Sequence, residues 1–417
     1  MKRQAPQMRR PLLALALAAI FPPSHAASGL TTQTIEVVGV SPLNGIGVPR
    51  RHLPSQVVSL DESRLEEIES LNVAEQLLRQ APGVSVNEIQ GNPFQADINY
   101  RGFTASPLLG AAQGLSVYVD GVRVNSPFGD TVNWDLIPNS AIAGIDLVPG
   151  SNPVFGLNTL GGALVVRTKS GFSQPGGKLE LSGGSFGRSN SEFEYGGNDG
   201  TLGWYAAGDW FREDGWRDFS PSDVKQFFGK LSYRNAAGEA DFSLTRAQSR
   251  LVGNGLLPQS LAAQSRSAIF THPDQTRNEL TQLALNGKLW LTDEQSLSGV
   301  IYHRQSKTRT LNGDLNDEYE NLFATNPATE TGANNRTQTR QTGEGASLQW
   351  NLSGERHQLT LGTAYDQART HFTQTQALGW IDSTRGISNA AAETTENQLH
   401  GTTRTASLFA ADTWTLS

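Results

Sequence analysis

The feature that most constrains this chain is a repeated alternation of apolar and polar residues after residue 172. The segment 203–212 places Trp204 and Trp210 on one side of an extended chain, and the segment 226–234 repeats the pattern. Because successive side chains of a strand point to opposite faces, each segment predicts a strand with one apolar face. Similar segments occur at 240–248, 283–291, 297–303, 346–352, 357–365 and 405–416. About ten such strands fit between residues 178 and 417.

The connections between these segments differ in length. Some are tight (235–238, 292–294 and 353–355), and others are long and polar (250–278, 308–338 and 370–400). Short turns at one end and long loops at the other are typical of a transmembrane β-barrel. A soluble β-sandwich or propeller also alternates and is the alternative. Five tryptophans near strand ends fit the aromatic girdles of a barrel, although aromatic residues also fill soluble cores: Trp204, Trp210, Trp290, Trp350 and Trp414.

The N-terminus has the pattern of a cleaved secretory signal, predicted over residues 1–26. Four basic residues precede a short apolar run at 12–21, and the small-residue site Ser24-His25-Ala26 follows. Cleavage removes four basic and no acidic residues, so the net charge falls from −7 to −11, which argues against a general nucleic-acid binder. The rest of the chain has no apolar run of 18 residues, so the sequence predicts no transmembrane helix.

Helix and strand signals mix between residues 46 and 172, which predicts a small α+β domain. Ser59 with Glu62, and Asn72 with Glu75, have the spacing of capping boxes. The second pair opens a predicted helix at 72–80, which Ala81-Pro82-Gly83 stops. Short strands are predicted at 84–89, 96–103, 115–124, 143–148 and 163–169, with a hairpin turn at Asp120-Gly121 inside the third.

The loop 150–162 is unusually rich in glycine. Gly150, Gly156, Gly161 and Gly162 occupy four of its thirteen positions, between two predicted strands. Glycine removes the Cβ, so backbones can approach closely, and it permits the positive φ of tight turns. A generic turn of a small domain would also explain the composition.

Four motifs in this order resemble those of the TonB-dependent outer-membrane transporters. They are NVAEQLLRQAPGV (72–84), INYRGF (98–103), VYVDGVRV (117–124) and the glycine-rich loop with the strand up to Lys169. The family's usual arginine before Gly-Pro is replaced in Val148-Pro149-Gly150. The resemblance implies a mainly β fold, with a transmembrane antiparallel β-barrel and an N-terminal α+β plug domain inside it. It divides the chain into a signal peptide (1–26), an N-terminal segment (27–45), a plug (46–172) and the N-terminal portion of a barrel (173–417).

The same resemblance implies TonB-dependent active transport of a scarce nutrient across the outer membrane of a Gram-negative cell. A ferric siderophore is the family's commonest substrate; cobalamin, haem, another metal chelate or an oligosaccharide are alternatives. The implied partners are TonB with its inner-membrane energising complex, outer-membrane lipid and a small ligand, for a monomer that binds no nucleic acid. A passive barrel and a soluble secreted β-protein are the alternatives of another class.

Enzymatic catalysis is not expected, and the sequence gives no reason to expect a catalytic residue, a resident metal or a cofactor. The chain has no cysteine, so neither a cysteine nucleophile nor a disulfide is available, and its seven histidines are scattered without paired zinc-ligand spacing.

The resemblance also assigns roles to particular residues. The TonB box is placed at Thr34, Ile35, Glu36, Val37 and Val38, although this stretch equally fits a first plug strand. Arg101 is the implied lock between plug and barrel, with Glu192 or Glu194 as its partner. Ligand contacts are expected from loops 106–113 and 126–134, although Phe128 and Trp134 could instead pack against the wall. The remaining candidates are Leu108, Leu109 and Asp130 in these loops and two further plug glycines, Gly102 and Gly121.

The ends of the chain carry two further expectations. A ten-stranded open sheet with a lipid-facing side leaves unpaired edges, which a bilayer does not tolerate. We therefore expect the chain to be part of a longer protein, with closure by ten strands as the alternative. About seven residues separate the signal-peptide cleavage site from the TonB-box candidate, so no N-terminal signalling domain is expected.

Overall fold

The computed structural model describes residues 37–38, 43, 48–49, 56–68, 70–88, 90–326, 328–354, 356–389 and 391–414. The predicted signal peptide, and Thr34, Ile35 and Glu36 of the TonB-box candidate, lie outside the described residues. Within the described ranges, none of the helices combines the length and the apolar character that crossing a membrane requires.

The N-terminal part of the described chain is an α+β domain. Its strands are β1 (Val37–Val38), β2 (Val48–Pro49), β3 (Val58–Asp61), β4 (Val84–Asn87), β5 (Asp97–Tyr100), β6 (Phe103–Ala105), β7 (Leu115–Val119), β8 (Val122–Arg123), β9 (Ile142–Pro149) and β10 (Gly162–Thr168). Its helices are α1 (Glu62–Glu66) and α2 (Val73–Gln80), with 3-10 turns at Pro93–Gln95, Trp134–Leu136 and Pro153–Phe155.

These strands form three sheets. The largest has the order β3-β9-β10-β7-β8, in which β7 and β10 run parallel and the other pairs antiparallel. A second sheet is β4-β5-β6, and β1 pairs with β2. The expected strand 96–103 is wrong as one element, because Arg101 and Gly102 form a positive-φ turn that splits it into β5 and β6. The hairpin at Asp120-Gly121 is confirmed.

Local side-chain bonds explain where the helices begin. Asn72 caps α2 by accepting from the Glu75 amide at 3.1 Å, and the Glu75 carboxylate accepts from the Leu71 amide at 3.1 Å, so this predicted cap is confirmed. The predicted Ser59 cap is wrong. Ser59 lies in β3 and donates to Asp146, and Asp61 caps α1 by accepting from the Arg64 amide at 3.0 Å.

The domain core lies between α2 and the central strands of the largest sheet. Its fully buried side chains include Trp134, Tyr100, Leu77, Leu60 and Ile145. Burying a side chain of this size stabilises a fold by about 1.5–3 kcal/mol, so the domain has an apolar core of its own.

The rest of the chain forms one antiparallel wall of long strands. They are β11 (Gly176–Gly183), β12 (Ser189–Asn198), β13 (Leu202–Glu213), β14 (Ser222–Asn235), β15 (Gly238–Val252), β16 (Asp274–Trp290), β17 (Gln295–Leu315), β18 (Gly332–Ser353), β19 (His357–Ile381) and β21 (Thr394–Trp414), with the short β20 (Ile387–Asn389). Helices α3 (Gln259–Gln264) and α4 (Tyr319–Phe323) lie in connections. Each long strand pairs with the next, and β11 and β21 are the edges.

The ten long strands match the expected number, and the alternation of connection lengths is confirmed. Connections of two to four residues, such as 199–201 and 236–237, define the short-turn end; longer ones, such as 214–221 and 253–273, define the long-loop end. The predicted polar loops 308–338 and 370–400 are wrong, because β17, β18, β19 and β21 continue through most of them. These stretches lack an apolar face, so hydropathy gave no strand signal, whereas their backbone groups still pair across the sheet.

The two faces of the wall differ in chemistry. Positions facing the N-terminal domain carry many buried polar side chains, such as Gln226, Ser249 and Asn278. Positions on the outer face carry exposed large apolar side chains, such as Leu231 and Leu348, at 62% and 48% exposure. Trp204, Trp210 and Trp414 are also exposed near strand ends, as girdle residues would be.

A substitution on the outer face tests this assignment. We expect Leu244→Arg, an outward position midway along β15, to lower the unfolding free energy in a lipid bilayer by about 2–4 kcal/mol, because it places a cation in the middle of the hydrocarbon. Gln248→Arg, an outward position at the long-loop end of β15, should change it by less than about 1 kcal/mol. The measurement is the folded fraction in a denaturant titration in lipid; equal effects would contradict the assignment.

Candidate functional site: the interface between the N-terminal domain and the strand wall

One buried ion pair joins the end of the N-terminal domain to the wall. The Lys169 ammonium lies 2.8 Å from the Glu194 carboxylate on β12, and the two side chains are 5% and 6% exposed. The Tyr205 hydroxyl donates to the same carboxylate at 2.7 Å, and Glu62 lies 3.5 Å from Lys169. Burial raises the pKa of Glu62 although Lys169 opposes this. Removing one partner of such a pair leaves an uncompensated buried charge.

A second ion pair holds the β7–β8 hairpin. Asp120, at the tip of the hairpin, lies 2.9 Å from the Lys230 ammonium of β14. Its carboxylate also accepts from the Thr168 amide at 3.0 Å and from the Thr168 hydroxyl at 2.5 Å. Burial favours the neutral acid, but Lys230 and the Thr168 hydrogen bonds outweigh it, so the pKa of Asp120 is lowered.

A third contact buries an acid without a cationic partner. Asp135 accepts from the Ser249 hydroxyl at 2.6 Å and from the Asn278 amide at 2.9 Å, through one carboxylate oxygen. Its other oxygen has no partner among the described residues. Gln226 donates to the backbone oxygens of Asp135 and Ile137 at 2.7 and 3.0 Å. Burial raises the pKa of Asp135 despite the two side-chain donors.

Neutral hydrogen bonds extend this interface toward the long-loop end. Asn92 donates to the Ser222 hydroxyl at 2.8 Å, and Gln95 donates to the Thr276 hydroxyl at 3.0 Å. At Gly91 and Gly253 the backbones come so close that a Cβ would lie 2.9 Å from the Asn254 oxygen and 2.5 Å from the Gln90 oxygen, respectively. The interface is therefore polar and close-fitting.

A cavity of about 580 Å³ lies between the domain and strands β17, β18, β19 and β21. Among its lining groups, three buried donors have no hydrogen-bond acceptor in the part of the chain described: Arg123 Nε, Arg304 Nε and Gln341 Nε2. Arg123 is paired through another nitrogen with Asp130 at 2.6 Å, and Arg304 donates to the Val124 oxygen at 2.9 Å. The cavity wall therefore contains two arginines and an amide with unused donors, which are themselves shielded from solvent.

The role proposed for Arg101 disagrees with the structure. Its side chain is exposed on the β5–β6 turn, 5.0 Å above the Tyr100 ring, and it forms no ion pair within the described ranges. Glu194 is a wall partner as expected, but of Lys169. Glu192 instead accepts from Asn190 at 2.7 Å. The exposed turn presents the Arg101 side chain to solvent, whereas Lys169 directly follows β10 and reaches Glu194 on the wall.

Lys169 and Asp120 lie in motifs of the resemblance, but the sequence predicted no contact with the wall for either residue. Both belong to stretches that carried the resemblance, the end of the glycine-rich loop motif and VYVDGVRV. Their partners Glu194 and Lys230 lie on separate strands, and no local pattern connects them.

The ligand-loop candidates separate into four groups. Trp134 is 1% exposed and donates to the Ala96 oxygen at 2.9 Å, so the expectation of a ligand contact there is wrong. Phe128 packs on Phe372 of β19 at 5.1 Å between ring centroids, which is the wall alternative. Asp130 lines the cavity. Leu109 is 48% exposed and Leu108 half-buried.

The glycine candidates act mainly within the domain. Gly102, Gly121, Gly150 and Gly156 have positive φ, as tight turns require. A Cβ on Gly162 would lie 2.5 Å from the Val148 oxygen, and one on Gly161 would overlap the Phe103 side chain. The glycine-rich loop therefore permits close packing against the domain itself. A further close approach to the wall, besides those at Gly91 and Gly253, is made at Gly171, where a Cβ would overlap Trp204 backbone atoms.

Val37 and Val38 form β1, which pairs antiparallel with Val48 and Pro49. This pair is separate from the five-stranded sheet. The strand character expected of this stretch is confirmed, and its role as part of a TonB box stays a prediction.

Comparison with known proteins places these features in a family. Residues 49–163 match the family model described as the TonB-dependent receptor plug domain. Vitamin B12 transporters BtuB are similar in sequence: the Vibrio vulnificus CMCP6 protein is 26% identical over 187 residues, 45% of this chain and 29% of that protein. The Photobacterium profundum protein is 28% identical over 200 residues, 47% and 31% of the two chains.

Solved structures show the same fold. The ferric citrate transporter FecA superposes with a TM-score of 0.70 at 13% identity, over 87% of this chain and 54% of that one. BauA, the ferric preacinetobactin receptor from Acinetobacter baumannii, superposes with a TM-score of 0.66 at 14% identity, over 91% and 58%. The chain thus covers just over half of these structures, and its alignments cover about a third or less of the curated relatives.

A plug domain followed by a wall of long antiparallel strands defines the class of protein. Residues 49–163 match the plug domain of this class, and the described chain shares the fold of its solved members, which supports a TonB-dependent outer-membrane receptor.

Breaking the buried ion pair should loosen the plug. We expect Lys169→Met to lower the free energy of local plug opening by about 3–5 kcal/mol, because Glu194 is left buried and unpaired. The control Lys178→Met removes a half-exposed lysine paired with Glu180 and should cost less than about 1 kcal/mol. Amide exchange of β10 measures the opening. Lys169→Met/Glu194→Gln should recover part of the loss; no recovery would mean that the pair is not coupled.

The two plug acids should respond to pH in opposite directions. A raised pKa means that Asp135 contributes stability at low pH that is lost as pH rises through its folded pKa. A lowered pKa means that Asp120 contributes stability above its ordinary pKa that is lost as pH falls. We expect Asp135→Asn to slow amide exchange in the plug at pH 8, and Asp120→Asn to accelerate it at the same pH. The same sign for both would contradict these assignments.

Proposed function

We propose that this protein transports a metal chelate across the outer membrane of a Gram-negative cell, energised by TonB and its inner-membrane complex. The observation that supports this is the attachment of the plug to the wall by polar contacts and two buried ion pairs, Lys169–Glu194 and Asp120–Lys230. A polar interface can separate and re-form more readily than an apolar core, because its groups find alternative partners in water.

A ferric siderophore is the first substrate candidate. The cavity beside the plug is lined by the side chains of Arg123, Arg304 and Gln341, and cationic and amide groups favour ligands rich in acceptor oxygens or negative charge. Cobalamin is the second candidate, because the relatives similar in sequence are vitamin B12 transporters.

Coupling to TonB is proposed to occur at Thr34–Val38. Strand addition depends on backbone hydrogen bonds more than on particular side chains. Capture by TonB would therefore replace the pairing of Val37 and Val38 with Val48 and Pro49. In this proposal the protein works as a monomer, catalyses no reaction, and transports its ligand unchanged.

Uptake by a deletion strain that expresses the full-length protein tests the substrate. Growth is measured with ferric siderophores of hydroxamate, catecholate and carboxylate types, with ferric citrate, and with cobalamin as the required nutrient. We expect one ferric chelate to restore growth; rescue by cobalamin alone would select the second candidate. Failure of every arm would contradict metal-chelate transport.

A backbone substitution tests the coupling segment. We expect Val37→Pro to reduce uptake at least tenfold while ligand binding at the cell surface persists, because proline lacks the amide that strand addition needs. Val37→Ala keeps the amide and serves as the matched control, and deletion of 34–40 should abolish uptake. Unchanged uptake after this deletion would place the coupling elsewhere.

A further inference from the structure

Two histidines that are far apart in the sequence meet on the outer face of the wall. His371 of β19 lies directly opposite His400 of β21, and their Nδ1 atoms are 3.1 Å apart. The two rings cross at 75°, with their centroids 4.5 Å apart. The residues are 29 positions apart in the chain, so no local ligand spacing indicates the pair, and only strand pairing brings it together.

Both side chains point into water. On β19 the neighbours Thr370 and Phe372 are buried on the inner face, so His371 points outward, and both histidines are exposed. Tyr365, an outer apolar residue of the same strand, lies six residues earlier, which is about 20 Å along the strand. The pair therefore lies beyond the apolar band, where a dissolved ion reaches it.

The backbone holds the two imidazoles in place. The register between β19 and β21 is regular from the pair His357–Trp414 to the pair Gln374–Asn397, and the two histidines lie within this ladder. On the inner face, the adjacent Phe372 packs on Phe128 of the plug. A site whose ligands are already positioned by rigid strands loses little conformational entropy when an ion binds.

The distance between the Nδ1 atoms suits one metal ion between them. An imidazole nitrogen lies about 2.0–2.1 Å from a bound ion such as Zn²⁺. Two nitrogens 3.1 Å apart would then subtend about 95–100° at the ion, close to the right angle of square-planar and octahedral sites. Tetragonal sites of nitrogen and oxygen ligands favour Cu²⁺ and Ni²⁺, and Cu²⁺ binds most strongly among the divalent first-row ions.

A neighbouring amide is placed to orient one of the rings. The Gln398 amide lies 3.2 Å from Nε2 of His400. Without an ion, Gln398 donates to this nitrogen, and Nδ1–H of His400 donates to Nδ1 of His371. An ion between the Nδ1 atoms replaces that proton, and the rotated Gln398 amide then accepts from Nε2–H. An outer hydrogen bond of this kind orients a metal-bound imidazole.

The surrounding charges restrict which ion fits. Arg340 of β18 lies directly opposite His371, and Arg369 precedes it by two residues on β19. In the part of the chain described, carboxylates pair with His303 and His357 but with neither member of this pair. Among the same residues, no three histidine or acidic side chains are arranged to hold a metal. Ca²⁺ and Mg²⁺, which require several oxygen ligands, are therefore disfavoured.

We propose that His371 and His400 bind one divalent transition-metal ion through their Nδ1 atoms, with Cu²⁺ preferred over Ni²⁺ and Zn²⁺. Water completes the coordination. The site is on the outer face, so the wall separates it from the cavity beside the plug, and its ion is not the transported ligand. The bound ion links β19 to β21 and stabilises this end of the strand pair.

Copper binding to the full-length protein in detergent, purified without a polyhistidine tag, tests the proposal. Titration with Cu²⁺ is followed by electron paramagnetic resonance, which counts the bound nitrogens. We expect one site per chain with two nitrogen ligands. His371→Gln and His400→Gln should each lose one nitrogen and at least about tenfold in affinity, because each removes one of two protein ligands. Ni²⁺ and Zn²⁺ should compete at least about tenfold less effectively than Cu²⁺.

Two further variants distinguish the pair from the rest of the surface. His357→Gln is the matched control, because it removes an exposed histidine of β19 that is paired with Asp412 at 2.8 Å, and it should change the affinity less than about twofold. Arg340→Gln should raise the affinity about twofold or more, because it removes a repelling cation. Ligation by a single nitrogen in the wild type, or equal losses in all three histidine variants, would overturn the proposal.

Amide exchange tests the link between the strands. An ion that binds only the folded pair stabilises it, so Cu²⁺ should slow exchange in β21 of the wild type and leave His371→Gln/His400→Gln unaffected. Unchanged exchange in the copper-bound wild type would contradict the link. Binding in detergent needs neither TonB nor a transported ligand, so Val37→Pro should bind Cu²⁺ as the wild type does. Failure of this proposal is therefore distinguishable from failure of the proposed transport.

Discussion

Two ion pairs buried between plug and wall govern how the parts of this chain fit together. Removing an ion from water costs several kcal/mol unless a counter-ion replaces the lost hydration. Lys169 meets Glu194, and Asp120 meets Lys230, each within 3 Å. A plug shifted along the wall would leave all four charges buried and unpaired. The ion pairs therefore specify the position of the plug, while its apolar core supplies its internal stability.

The other contacts across this interface are weaker in kind. Asp135 accepts hydrogen bonds from neutral donors only, and its pKa is raised. Burial therefore disfavours its carboxylate form relative to the neutral acid. Beside β17 to β21, a donor of Arg304 and one of Gln341 find no acceptor among the residues that the structure describes. A few strong contacts combined with a polar and partly unfilled surface suit a domain that must stay in place and still admit a solute.

Each long strand of the wall places its side chains in three different environments. Their inner positions hydrogen-bond the plug, their middle outer positions are apolar, and their outer positions near the long-loop end carry charged side chains such as Arg250 and Arg277. Period-two alternation separates the inner from the outer face, and depth along each strand separates apolar from charged outer positions. A change of one residue in register would exchange these faces.

The sequence determined what depends on local periodicity and turn chemistry. It predicted the ten wall strands, the α2 cap at Asn72 and the Asp120-Gly121 hairpin, because each signal lies within a few residues. It missed the strand extensions beyond the apolar band, where neither face is apolar and only backbone pairing holds the sheet.

Only the tertiary structure decided which charges meet. The sequence pointed to Arg101, but the fold leaves this residue on an exposed turn. The fold instead pairs Lys169 with Glu194, 25 residues away, and Asp120 with Lys230, 110 residues away. Such pairs depend on how the plug packs against the wall. A sequence pattern confined to neighbouring residues carries no information about contacts between residues so far apart in the chain.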